Sequence, residues 1–141
     1  MKQIKASVVS NARREWIEAL TNDVAEYAAL MRRASVILST ISGRLTSAPD
    51  ELRETQKDLD KALPIGVRIH LRLVVLKEQD CDKVVEVMQA IEEQGAKLTQ
   101  AAKAGQDWGI PYKNLQGLIG QFISVSLSIL KQEWKKVRRG E

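Results

Sequence analysis

The chain is poor in several residue types, and each scarcity excludes something. It has one cysteine, Cys81. No internal disulfide can form, so an oxidised, disulfide-built scaffold is excluded and a reducing compartment is expected. It has one histidine, His70, which leaves a metal site without a second imidazole. Aromatic residues are only 4%, so any core must be aliphatic. Three prolines and eight glycines leave room for long uninterrupted helices. No apolar run is long enough to span a bilayer. The charged start Met1-Lys2-Gln3-Ile4-Lys5 is followed by no apolar stretch of the signal-peptide kind. Internal repeats and low-complexity stretches are absent.

What is present reads as one helical domain over residues 1–141. Hydrophobic residues at 44% and charged residues at 28% are an ordinary globular balance. The net charge of +4 is mild but unevenly placed. The first 14 residues carry Lys2, Lys5, Arg13 and Arg14 with no acid. The last 11 carry Lys131, Lys135, Lys136, Arg138 and Arg139 against Glu133 and Glu141.

Trp16, Leu20, Val24, Tyr27, Met31, Ala34, Leu38, Ile41 and Leu45 recur every three or four residues. That spacing predicts a long first helix from Ser7 or Ser10, the latter its N-cap, to about Arg44. Ile17, Leu30 and Ile37 widen its apolar face, and the narrow stripe would also suit a dimer. Gly43 and the run Thr46 to Asp50 end it. Ser47 is expected to cap a second helix, with a break or kink near Leu63-Pro64. Val67 to Leu73 alternates like a strand. No second alternating segment exists to pair with it, so helix is expected there too. Asp80 should cap a third helix ending near Ala104, with Val84, Val87, Met88, Ile91 and Leu98 inward. Gly95 is the place for a close helix contact. Gly105 to Pro111 is a loop, in which Trp108 plugs the end of the core. The last helix runs from about Pro111 to Arg139, with Leu115, Ile119, Phe122, Ser126, Ile129 or Leu130, Glu133 or Trp134, and Val137 inward. Four helices on short connections make an all-α, antiparallel up-down four-helix bundle with long first and last helices.

Chemistry is harder to find. His70 lies between Ile69 and Leu71 with no partner of its own type and reads as a flanking helical residue. Cys81 stands between Asp80 and Asp82, and acidic neighbours disfavour a thiolate. Asp58/Asp60 and Glu92/Glu93 are too close in sequence to face each other on a helix, and read as solvated charge. No Glu-x-x-His pair suggests a di-iron site, and no phosphate-binding glycine loop is present. The expectation is no enzyme, no cofactor, no metal and no small-molecule substrate.

The informative residues are the tryptophans at the two ends. Trp16 follows Arg13-Arg14, and Trp134 lies among Lys131, Lys135, Lys136, Arg138 and Arg139. An antiparallel first and last helix put both groups at one end, with Glu15 and Glu133 pairing some of the cations. Both rings should finish the core there. The cations above them form the candidate binding patch, suited to phosphates of lipid or nucleic acid.

The spacing Ser10-x-x-Arg13-x-x-Trp16-Ile17-x-x-Leu20 resembles the start of an uncharacterised bacterial helical protein family. Ile69-x-Leu71-x-Leu73 before the acidic turn Glu78 to Asp82 is similar to that family's middle helix and turn. The usual Leu-Asn-Pro is replaced here by Leu76-Lys77-Glu78. Ile129-Leu130-Lys131-x-Glu133-Trp134-x-x-Val137 resembles its last helix. The resemblance covers most of the chain in order and implies an all-helical domain without known activity. Members often carry one transmembrane helix before the first motif, where here only nine residues precede Ser10. In anchored relatives, it implies, the Trp and basic end lies against the inner membrane face. The expectation is therefore a soluble, cytoplasmic interaction or regulatory protein of bacterial or mobile-element origin. A protein partner or self-association comes first. Anionic lipid at the inner membrane face is the first alternative, and a nucleic-acid-associated or phage-encoded role is the second.

Overall fold

A computed structural model describes residues 2–41, 49–76 and 79–140. Four helices follow one another: α1 (Lys2–Ile41), α2 (Pro49–Val74), α3 (Gln79–Ala104) and α4 (Gly109–Arg138). No strand occurs among the described residues. The fold is the expected all-α bundle, and α1 and α4 are its longest helices.

Several boundaries differ from the sequence reading. α1 begins at Lys2, so Ser10 lies well inside the helix rather than at its N-cap. The expected end at Gly43 to Leu45 and the cap at Ser47 fall outside the described residues. α2 is continuous through Pro64 rather than broken there. Pro64 and Asp60 are both exposed, so the carbonyl freed by the missing N–H faces water instead of the core. α3 starts at Gln79, which puts Asp80 in its first turn, where its charge favours the helix dipole. α4 starts two residues before Pro111, so the proline sits in the first turn, where it is tolerated. Gly105, with φ 66°, ends α3 in the left-handed conformation that glycine adopts without strain.

The alternation of Val67 to Leu73 has a simple cause. Two residues along a helix is about 200° of rotation. Ile69 and Leu73 are therefore buried, while Val67 and Leu71 point the opposite way into solvent. The segment is a helix with two apolar faces.

α1 is the spine. Ile17, Leu20, Val24, Tyr27, Met31, Ala34, Leu38 and Ile41 are all buried. They pack on α2 and α4 extensively and on α3 to a smaller extent, and α3 packs on α4. The α1 stripe is thus covered by the chain's own helices and is not left for a dimer. α2 and α3 touch little. Inward residues of α3 and α4 match expectation, with Ile129 and Leu130 both buried. Tyr27 and Phe122 meet at the centre, ring centroids 5.2 Å apart. A Cβ at Gly66 would come within 3.2 Å of Met88 and 3.3 Å of Tyr27. Glycine is what lets α2 approach that close. At Gly95 the same atom would meet only the Met31 methyl, at 3.6 Å. Trp108 packs half-buried against the core and edge-on to Tyr112, the plug expected of it.

Candidate functional site: the basic end

Among the described residues three carboxylates are buried, and each is answered by a cation on another helix. Asp23 of α1 accepts from Arg68 (3.1 Å) and from Arg72 on α2. The hydrogen bond and charge of Asp23 hold the Arg68 guanidinium above its ordinary pKa. Asp58 of α2 lies 3.3 Å from the Arg33 Nε of α1. The sequence reading placed Asp58 in solvent beside Asp60. Only Asp60 is exposed, because the two point to different sides of α2. Glu133 of α4 is 1% exposed. It lies 3.7 Å from Arg13 on α1 and accepts from Lys136 at 3.1 Å. The α1–α4 seam is further fixed where Gln116 Nε2 donates to Ser35 Oγ at 2.6 Å.

These contacts set the levels of the helices. Asp23 beside Arg68 and Arg72 puts the end of α2 near residue 20 of α1. Met31 facing Gly95 puts the start of α3 near Glu15. Arg13 beside Glu133 puts the end of α4 near Val8. At about 1.5 Å per residue, α1 runs roughly 20 Å past the start of α3, with α4 beside it for about half of that length. The basic end is a two-helix projection.

The candidate patch residues sit on it. Arg14, Lys131, Lys135, Arg138 and Arg139 are exposed. Arg13 and Lys136 are half-buried over Glu133. Trp16 and Trp134 are half-buried and pack on the core, about one turn apart along the seam and without ring contact. Glu15 is exposed and, unlike Glu133, makes no ion pair among the described residues. Val8, 61% exposed, adds an apolar side chain level with Arg138.

No family model, curated protein or solved structure matches this chain. The site is therefore read from its chemistry alone. Among the described residues no helix is long and apolar enough to cross a membrane, and no group of metal-ligating side chains is assembled. His70 and Cys81, distant in the reading of the sequence, line one hollow of about 290 Å³ between α2 and α3. His70 is exposed, and the thiol beside it is buried.

Two features escaped the sequence reading. Leu63, Val67, Leu71 and Val74 are between 55% and 63% exposed and form an apolar line on α2 opposite its core face. Their spacing of four, four and three was present in the sequence as one half of the alternation. The second is a cleft between α2 and α3, which no spacing signals.

Proposed function

We propose that this chain is a non-enzymatic helical interaction module whose projecting basic end engages an anionic membrane surface. One observation carries the reading. Arg14, Lys131, Lys135, Arg138 and Arg139 are exposed on a single two-helix tip, with Val8 and two half-buried tryptophans among them. Cations beside an exposed valine and half-buried indoles suit lipid head groups over a shallow acyl boundary. Each cation near an anionic bilayer is worth about 1 kcal/mol, so several together bind measurably without an anchor. Nucleic acid would use the same cations but gains nothing from Val8. A bacterial or mobile-element origin rests on the family resemblance of the two tryptophan motifs.

The test is flotation with anionic and with neutral liposomes, and titration with duplex DNA, each at two salt concentrations. Salt-sensitive binding to anionic liposomes alone is expected. It should be lost when Lys135, Arg138 and Arg139 are changed to Gln. Binding to none, or binding unaffected by those changes, leaves the tip as solvated surface. Binding to DNA with a steep salt slope transfers the reading to nucleic acid.

A second reading is favoured by the apolar line on α2. Four large side chains at heptad-like spacing, more than half exposed, suit pairing with the same line on a second copy. Sedimentation at increasing concentration tests this, because Val67→Lys should abolish any dimer seen for the native chain.

A further inference from the structure

The cleft between α2 and α3 has a volume of about 480 Å³, within the range of small-molecule sites. Met31 forms its floor, Leu59 and Leu63 one wall, and Ala96 the other. α3 contributes the small residues Gly95 and Ala96 to the lining. The ends of the cleft differ in charge. Glu92 lies at one end and Lys103 at the other. The cleft continues past Lys103 into a smaller hollow lined by Arg53. Lys103 is exposed and makes no ion pair among the described residues, whereas Arg53 leans on the exposed Asp50 at 3.7 Å. Glu92 and Lys103 are separated by about 16 Å along α3.

An apolar trough with a cation at one end and an anion at the other selects a molecule by shape and by direction. We propose that the cleft binds a single-chain anionic amphiphile. Its alkyl chain lies on Met31, Leu59, Leu63 and Ala96, and its carboxylate meets Lys103. Glu92 disfavours the reverse orientation. This site is separate from the basic tip, since Lys103 is near the opposite end of the bundle.

The test is calorimetric titration with octanoate, decanoate and dodecanoate, each below its micelle concentration, and with dodecylamine. Affinity should rise about fourfold per methylene added until the alkyl chain fills the trough. Lys103→Glu should weaken dodecanoate by about tenfold or more, the weight of one charge-assisted contact, and should not weaken dodecylamine. Ala96→Phe, at an exposed position of the wall, should block dodecanoate and leave the melting temperature unchanged. If it lowers the melting temperature, the Lys103→Glu result decides alone. Absence of dodecanoate binding overturns the proposal, and so does equal binding by native chain and Lys103→Glu. The Lys135, Arg138 and Arg139→Gln variant should bind dodecanoate as the native chain does, so failure of the tip and failure of the cleft are read separately.

Discussion

Asp23, Asp58 and Glu133 are buried acids whose cationic partners still reach water. That asymmetry decides which partner matters more. Arg13→Ala leaves Glu133 buried with Lys136 alone and should cost about 1–3 kcal/mol. Glu133→Leu removes the buried charge and frees two cations that water can solvate, so its cost should stay below about 1 kcal/mol. Urea midpoints measure both, and the reverse order would remove this account. Tyr27 presents a different imbalance. Its hydroxyl is buried without a hydrogen-bond partner among the described residues. Burial first, then the charge of Glu92, push its pKa upward. Tyr27→Phe should therefore be neutral or stabilising. The sign with pH follows. A phenol whose pKa is raised by folding contributes stability below the unfolded value of about 10 and loses it as pH rises past that value. The native chain should weaken above about pH 10 more than Tyr27→Phe does. Parallel stability curves for the two between pH 9 and 11 would contradict this.

Among the elements, α2 is the most informative about what a sequence reveals. Its helical state was legible because the alternating segment had no partner strand. Its two apolar faces were equally present in the spacing, yet periodicity does not say which face meets the core. That is settled by Tyr27 and Met88 closing on Gly66, contacts from two other helices. Of the break or kink expected near Leu63-Pro64, the break does not occur, and Pro64 and Asp60 stand at exposed positions where water can take up the freed carbonyl. Pro64→Ala should therefore stabilise the chain by about 1–3 kcal/mol, seen as a raised melting temperature. A lowered one would show that the core requires the local distortion. The buried stripes of α1, α3 and α4 were legible almost residue by residue, since inward spacing survives any arrangement of neighbours. The start of α1 was not legible, because its first turns lack a capping signal. The cleft was not legible either, because it arises from two helices failing to meet.

At the scale of the whole molecule, the convergence of both tryptophan motifs followed from antiparallel order alone. Their projection beyond α2 and α3 did not, for it depends on where the middle helices stop. A two-helix tip buries less than a four-helix body, and its amides should open more readily. Hydrogen exchange is expected to be faster before Glu15 and after Glu133 than around Tyr27 and Phe122. Equal protection would mean that something covers the tip. The uneven packing of the helices has a consequence for how the chain comes to be folded. The heaviest pairings are α1 with α2 and α3 with α4, each between consecutive helices, while α2 and α3 touch little and α1 with α4 is the long-range seam. During synthesis the first hairpin can form before the second has left the ribosome. The second then forms from local contacts of its own, which is the quick kind of closure. Joining the ends is then expected to come last, and with it the meeting of Arg13 and the buried Glu133.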